Sequence, residues 1–293
     1  MNAAIEMSGV TKSYRRNPAL DALSLKVQEG EIYGFIGPNG AGKSTAIRLM
    51  LNFIRAQAGT ISVLGLDPRT EDVAIKRMTG YVAGEAFLYA DMRVGDLLQF
   101  TQHFHRISVP ARVKLLVDTL EIDVHKRFEM LSFGNRKKVA IACALLHSPR
   151  LLILDEPSNG LDPVIRGNLY DLLRAEQRRG ATIFFSSHVL AEVRAVCTRI
   201  GLIKQGRLIK ETDTASFTHI GYSKVSLKTS EGVSLEALAG VSGLQRDGDT
   251  CRFMYAGKPD PLIRLLSQVS VSELQIEEPD LETVFKHYFN DQD

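Results

Sequence analysis

The segment Gly37–Thr45, which reads GPNGAGKST, constrains this chain more than any other stretch. It fits the spacing G-x-x-x-x-G-K-[ST], whose fixed positions here are Gly37, Gly42, Lys43 and Ser44. Glycines let the backbone curl so that successive N–H groups face one concavity, and the following helix N-terminus adds its dipole. In such a loop Lys43 would reach the β- and γ-phosphates, and the Ser44 hydroxyl would hold Mg²⁺. The segment therefore predicts a nucleotide site.

The sequence on either side of this loop supports the prediction. Residues 31–37 (EIYGFIG) form a short β-rich apolar run, and residues 46–54 (AIRLMLNFI) form an apolar helical run. Strand, glycine loop and helix, in that order, is the context that phosphate binding needs, so a chance match is disfavoured. The predicted nucleotide-binding residues of the loop are Gly37, Pro38, Asn39, Gly40, Ala41, Gly42, Lys43, Ser44 and Thr45.

Composition and charge bound the class of protein. Hydrophobic content is 44% and charged content 24%, which is ordinary for a globular chain. No uncharged apolar run approaches the about 18 residues that span a bilayer, and the N-terminus lacks a secretory signal pattern. The three cysteines (Cys143, Cys197 and Cys251) have no metal-type spacing. Unpaired thiols fit a reducing compartment, so we expect a cytoplasmic protein.

Charge is unevenly distributed along the chain. Residues 1–210 hold 29 Lys and Arg against 20 Asp and Glu, whereas residues 211–293 hold 7 against 14. Most of these charges are expected on solvated surface, but the reversal of sign favours two separately composed domains. We expect boundaries at residues 1–212 and 213–293.

Two acids follow the apolar run LLILDEP (Leu151–Pro157). A continuous apolar run predicts a strand covered on both faces, as in a parallel sheet, whose carboxyl end is where ligands bind. Asp155 could hold Mg²⁺ through its water shell, and Glu156 could polarise an attacking water. A second buried strand, ATIFFSSH (181–188), would deliver His188 to the same edge of the sheet.

The segment LSFGNRKKVAIACALL (131–146) predicts a helix with Ser132 as N-cap and Gly134 open to close approach by a ligand. Its first turn is basic, with Arg136, Lys137 and Lys138, so the helix start is a second candidate anion site. The alternative is a capped core helix with a basic first turn.

Further elements are predicted from periodicity. Residues 4–10 and 23–27 alternate like half-buried strands, with a polar loop between them that carries Tyr14. That aromatic could stack on a nucleobase, although an exposed loop tyrosine is often incidental. Residues 93–120 are expected to be helical in two pieces, broken at Pro110.

Residues 1–210 resemble the nucleotide-binding subunit of ABC transporters. The matches are an adenine-stacking aromatic, the Walker A loop, the signature sequence, the Walker B strand, the D-loop and the switch histidine. In this chain they correspond to Tyr14, Gly37–Thr45, Leu131–Asn135, Leu151–Glu156, Gly160–Asp162 and His188. The resemblance implies an α/β P-loop NTPase fold, with a mostly parallel core sheet, an antiparallel β-subdomain and a helical insert at about residues 86–130. It also implies ATP and Mg²⁺ as cofactors.

The resemblance assigns roles to residues of this chain. Catalytic roles fall to Lys43, Glu156 and His188, and the nucleotide contacts would include Tyr14, Ser132, Gly134 and Asp162 besides the loop. Ser44 and Asp155 would hold the metal. Two departures stand out. Phe133 and Asn135 replace the third and fifth residues of the family's LSGGQ, and GYVAGE (80–85) lacks the usual Gln, which Gly84 or Glu85 would replace. Glu85 could be an oxygen ligand of the metal.

One copy of each motif implies an assembly. In the family, ATP lies between the phosphate loop of one subunit and the signature of another, so this chain is expected to dimerise head to tail. The helical insert would receive a coupling helix of a transmembrane permease, placing the chain at the inner face of the cell membrane. An alternative is a soluble ABC ATPase acting on a ribosome or nucleic acid. Such relatives carry two ATPase domains or long coiled coils, which this chain lacks, so no specific nucleic-acid partner is expected.

Residues 211–293 predict a small α/β appendage. Residues 224–229, 251–255 and 271–276 alternate like strands, and helices are expected at 260–269 and 280–289. The ending EEPDLETVF resembles ATPase subunits of bacterial exporters whose membrane domain is a separate polypeptide, which favours export. A regulatory role for this tail, as a dimer clamp or partner sensor, is a further hypothesis.

Overall fold

The computed structural model describes residues 2–15, 17–85, 89–214, 222–230 and 233–277. The chain divides into two compact units, residues 1–214 and residues 215–293. Within the described ranges, none of the helices combines the length and apolarity that crossing a membrane requires.

The first unit contains nine described strands and seven described α-helices. Its strands are β1 (Ala3–Tyr14), β2 (Asn17–Gln28), β3 (Ile32–Ile36), β4 (Ala58–Val63), β5 (Thr79–Val82), β6 (Leu151–Asp155), β7 (Thr182–Ser187), β8 (Arg199–Lys204) and β9 (Arg207–Asp213). Its helices are α1 (Lys43–Met50), α2 (Asp72–Met78), α3 (Val94–His105), α4 (Pro110–Thr119), α5 (Phe133–Leu146), α6 (Pro163–Arg178) and α7 (Leu190–Val196), with a 3₁₀ turn at Phe128–Met130.

The core of this unit is a six-stranded sheet in the order β5-β6-β7-β3-β8-β9. Its neighbours are parallel except for the antiparallel pair β8–β9. Every residue of β3, β6 and β7 is buried, as continuous apolar runs in a sheet covered on both faces require. The predicted mostly parallel α/β core is confirmed. The carboxyl ends of β3, β6 and β7 meet at one edge, because Ile36 pairs with Ser187 and Asp155 with Ser186.

A separate antiparallel sheet has the order β2-β1-β4. The polar loop predicted between residues 10 and 23 is wrong, because β1 and β2 remain paired through Lys12 with Leu20 and Tyr14 with Asn17. The register shifts around Lys12. Such irregularities interrupt the two-residue alternation of apolar and polar side chains while backbone pairing continues. The alternation in the sequence therefore predicts two strands that are shorter than those observed.

The segment between β5 and α5 carries the two helices α3 and α4 and the 3₁₀ turn at Phe128–Met130, joined by non-helical stretches. Pro110 lies in the first turn of α4, where a proline is tolerated because its missing N–H has no helical partner there. The predicted break between the two helices at Pro110 is therefore observed. The apolar face of α4 is buried at Leu116 and continues to buried Leu120.

Two histidines stack where α3 meets the end of α5. The rings of His105 and His147 lie 3.8 Å apart between centroids and 10° from parallel. Burial, reinforced by the neighbouring imidazole, lowers the pKa of His147 to about 4. His147 is therefore neutral in the folded protein at pH 5, whereas an unfolded histidine is largely protonated there.

This difference predicts acid sensitivity. Between pH 6.5 and 4 the unfolded chain takes up more protons than the folded one, so the free energy of unfolding falls as the pH is lowered. From pH 7 to pH 5 we expect His147 to contribute a loss of about 1–2 kcal/mol. Urea unfolding of the full chain at both pH values measures it. His147→Phe should reduce the pH dependence, and the matched change at exposed His103 should leave it unaltered.

The second unit is a four-stranded antiparallel sheet with one described α-helix. Its elements are a 3₁₀ turn (Leu235–Ala237), β10 (Tyr222–Lys228), β11 (Val241–Asp247), β12 (Thr250–Ala256), α8 (Pro259–Leu266) and β13 (Glu273–Glu277), with strand order β11-β12-β10-β13. One face of the sheet packs on Leu262 and Leu266 of α8. These strands and α8 confirm the predicted α/β appendage, and the helix predicted at 280–289 lies outside the described residues.

Candidate active site

The glycine loop leaves β3 at Gly37 and enters α1 at Lys43. Two of its glycines are dictated by sterics. A Cβ at Gly37 would clash with the carbonyl of Ile203, and Gly42 combines φ of 110° with a carbonyl, that of Ala19, only 2.5 Å from any added Cβ. The loop is therefore wedged between β8–β9 and the β1–β2 hairpin, and no larger residue fits at these positions.

Lys43 lies inside the loop with 6% of its side chain exposed. Its Nζ donates to the carbonyls of Gly37 at 2.6 Å and Pro38 at 3.2 Å, and lies 3.4 Å from Oε1 of Glu156. A buried ammonium is costly unless it is paired, so these acceptors hold the lysine across the loop mouth. Lys43 thus links the loop to the acidic end of β6.

Glu156 follows β6 in a left-handed backbone conformation, with φ of 49°. This conformation is uncommon for a residue with a side chain and occurs often at functional sites. Its Oε2 accepts a hydrogen bond from Nδ1 of His188 at 2.7 Å. An ionised carboxylate can only accept, so this bond forms in those states of the imidazole that carry a proton on Nδ1. Glu156 therefore sits between two nitrogen donors, Lys43 and His188, at the edge where β3, β6 and β7 end.

Oxygen groups suited to Mg²⁺ flank the loop. Asp155 is buried, and its Oδ1 accepts from the hydroxyl of Ser186 at 2.8 Å. Ser44 is exposed at the start of α1. Among the described residues, no cluster of three His, Cys, Asp or Glu side chains could hold a metal alone. This donor set fits Mg²⁺, which prefers oxygen and completes its shell with phosphate and water.

The segment after β5 faces the same acids. A Cβ added to Gly84 would lie 3.8 Å from Oδ2 of Asp155, so a side chain at this position would project toward the Asp155 carboxylate. Glu85 is exposed and bonds none of the described site residues. The geometry favours Gly84 over Glu85 as the position where the family's Gln would stand.

Helix α5 starts as predicted, because the Ser132 hydroxyl accepts from the backbone N–H of Asn135 at 3.4 Å. A Cβ on Gly134 would clash with the carbonyl of Gly160, which brings the signature against the D-loop. Asp162 caps α6, and its Oδ1 accepts from two backbone N–H groups at 3.0 Å each. These bonds lower the pKa of the Asp162 carboxyl. Among the described residues, no hydrogen bond or ion pair joins Ser132 or Gly134 to the loop at 37–45.

Two of the three basic residues predicted to form an anion site at the start of α5 donate to backbone carbonyls of this chain instead. Lys137 is fully buried, and its Nζ donates to the carbonyls of Ala83 at 2.9 Å and Gly84 at 2.6 Å. Arg136 donates to the carbonyl of Glu129. Lys137 therefore does not face a solvent-borne anion. Burial lowers its pKa to about 8, opposed by the negative charges of Asp155, Glu156 and Glu85.

Glu192 is a supporting residue that sequence reasoning missed. Its Oε2 accepts hydrogen bonds from the hydroxyls of Ser158 at 2.6 Å and Ser187 at 2.9 Å. Glu192 thus links the turn after Glu156 to the end of β7, next to His188. The available signal was an acid four residues beyond His188 in a helix, α7, that is otherwise mostly apolar.

Tyr14 ends β1 with 43% of its surface exposed, and Nζ of Lys12 lies 5.7 Å from its ring centroid.

Comparison with known proteins gives consistent matches. A family model described as ABC transporter matches residues 20–159. A Nod factor export ATP-binding protein I of Rhizobium etli is 32% identical over 96% of this chain and 92% of that protein. A bacitracin transport ATP-binding protein of Bacillus licheniformis is 34% identical over 72% of this chain and 70% of that protein. A solved ATP-binding subunit of an ABC transporter superposes with a TM-score of 0.67 at 26% identity, covering 72% of this chain and 90% of that one.

Proposed function

Because this chain belongs to the ABC transporter family, whose ATP-binding proteins are ATPases, we propose that it hydrolyses ATP to power export through a separate membrane permease. The observation that carries the proposal is the arrangement of Lys43, Glu156 and His188. A buried ammonium inside a phosphate loop lies 3.4 Å from a carboxylate that is hydrogen-bonded to a histidine at 2.7 Å. Phosphoryl transfer to water needs this combination of phosphate-binding cation and water-orienting base.

The direction of transport is proposed from the relatives. The Rhizobium etli protein is named for Nod factor export and aligns along nearly the whole of this chain, including the second unit. The Bacillus licheniformis protein is named for bacitracin transport. A permease partner places this chain at the inner face of the cell membrane. Neither relative is described as acting on ribosomes or nucleic acid, so nothing favours that alternative.

Each site residue has a task in this proposal. The loop at 37–45 receives the phosphates, and Lys43 exchanges its carbonyl partners and Glu156 for phosphate oxygens. Ser44 and Asp155 would hold Mg²⁺, which neutralises charge on the phosphates. Once Lys43 turns to the phosphates, Glu156 can accept a proton from the attacking water, and His188 holds that carboxylate in place. Tyr14 would stack on the adenine ring.

The site is proposed to be completed by a second copy of the chain. Ser132 is exposed at the N-terminus of α5, where backbone N–H groups and the helix dipole favour an anion. Its lack of described bonds to the loop of its own chain supports a role in trans. In a head-to-tail dimer, Ser132 and Gly134 would contact the ATP bound by the partner, and Asp162 would lie beside them at the D-loop.

Mixing two inactive variants tests this assembly. Lys43→Met disables a loop, and Ser132→Asp disables a signature by charge repulsion while keeping a residue type that caps helices well. In a head-to-tail heterodimer both lesions fall in one site and the other site is intact. An equimolar mixture should therefore recover about a quarter of wild-type ATP hydrolysis, since half of the dimers carry one of two sites. No recovery beyond the sum of the separate variants would contradict the shared site.

A further inference from the structure

Lys137 is an unusual residue in this site because it is a fully buried cation and, among the described residues, no carboxylate is hydrogen-bonded to it. Its exposed fraction is 0%, and the two acceptors of its Nζ are the backbone carbonyls of Ala83 and Gly84. Burying an ammonium is costly unless its donors are satisfied, and the two carbonyls satisfy two of the three donors of this Nζ. The Nζ of Lys137 lies 5.8 Å from the ring centroid of Phe133, which precedes it by one turn on α5.

The two carbonyls belong to the segment that faces the metal-binding acid. The position of a Cβ on Gly84 lies 3.8 Å from Oδ2 of Asp155, yet glycine supplies no side chain to reach into that space. Glycine also leaves the backbone of this segment with more conformational freedom than any other residue would. The placement of residues 83–84 relative to Asp155 therefore depends on contacts from elsewhere, and Lys137 makes two of them.

We propose that Lys137 is a positioning residue for ATP hydrolysis, which clamps the carbonyls of Ala83 and Gly84 and so keeps the space beside Asp155 open for a water-coordinated Mg²⁺. This inference rests on the proposed function and extends it to a residue outside the recognised motifs. Lys137 touches neither nucleotide nor water in this role. It acts through the backbone of residues 83–84, and it connects the signature helix α5 to the metal side of the site.

This role predicts that the loss of Lys137 lowers ATP turnover without weakening ATP binding. The phosphate loop and Lys43 do not bond Lys137 in the described structure, so ATP affinity is expected to survive its loss. A displaced 83–84 segment instead disturbs the metal and water geometry, which a reaction needs to within a fraction of an ångström. Lys137→Met, which has a similar shape and no donors, should lower kcat at least about tenfold and leave KM for ATP within about threefold.

The experiment uses the full-length chain and three variants. Steady-state ATP hydrolysis is measured against ATP and against Mg²⁺ for Lys137→Met, Lys137→Gln and the control Lys114→Met, which removes an exposed ammonium of α4. ATP affinity is measured separately from turnover, by equilibrium titration with a fluorescent ATP analogue, and should stay within about threefold of wild type in all three variants. We expect the Mg²⁺ concentration for half-maximal rate to rise at least threefold in Lys137→Met. Lys137→Gln, whose amide can donate to one carbonyl, should fall between the wild type and Lys137→Met. Lys114→Met should match the wild type.

The outcomes separate this inference from the proposed function. A wild-type chain that fails to hydrolyse ATP would refute the function itself. If the wild type hydrolyses ATP and folded Lys137→Met keeps kcat within twofold, only the role of Lys137 is refuted. Equal losses in the Met and Gln variants would also overturn it, because the carbonyl bonds would then not explain the effect. If Lys137→Met does not fold, Lys137→Gln decides: a kcat at least threefold lower at unchanged KM supports the role, and wild-type kcat refutes it.

Discussion

Glu156→Gln should reduce ATP turnover by about 10³-fold while ATP binding remains intact, because removing a general base costs a reaction this order of magnitude. The amide keeps the shape of the carboxylate and can still contact His188, which lies 2.7 Å away in the wild type. It can no longer accept a proton from water. ATP would therefore bind and remain uncleaved, and the closed dimer that ATP stabilises should accumulate. Gel filtration with ATP and Mg²⁺ should show a stable dimer.

The control for this variant is Glu6→Gln, which removes an exposed acid of β1 that pairs with Lys26 at 3.7 Å. It should neither trap a dimer nor slow hydrolysis. A Glu156→Gln chain that stays monomeric with ATP and Mg²⁺ would contradict the sandwich assembly. Retained turnover would instead contradict the assignment of Glu156 as the base.

Lys43→Met should weaken ATP binding by about 10- to 100-fold, since hydrogen bonds to charged groups contribute about 1.5–3 kcal/mol each. Turnover should fall further than binding, because charge on the phosphates increases in the transition state. Lys43 also donates to the carbonyls of Gly37 and Pro38. Its loss therefore takes a donor from the buried carbonyl of Gly37, and the loop should lose stability as well as affinity.

Titration with a fluorescent ATP analogue measures the affinity, and Lys26→Met provides a control in which an exposed lysine loses its charge. The control should bind ATP like the wild type. If Lys43→Met bound ATP with unchanged affinity, the loop at 37–45 would not be the phosphate site.

The local sequence predicts the structure correctly where the backbone conformation, or the burial of both faces of a strand, restricts which residue fits. The two clash-prone glycines of the loop, the buried runs of β6 and β7, and the Ser132 cap each leave a short-range signal. The predicted loop around Tyr14 was wrong, because irregular register in β1 removed the alternation on which the prediction relied. The sequence predicts Lys137 as part of a basic helix start. The signal that it turns inward is the buried apolar residues at helical spacing from it, Ala140, Ile141, Ala144 and Leu145.

The sequence by itself determined the loop, the strand–loop–helix context and the order of the motifs, because these depend on contacts between residues close in the chain. Only the tertiary structure decided which groups meet. Parallel pairing of β3, β6 and β7 brings Lys43 to Glu156 across 113 positions of sequence and His188 to the same carboxylate. Packing of α5 against β5 likewise carries Lys137 to the backbone of residues 83–84. Such contacts arise from strand order and packing, and spacing along the chain does not encode them.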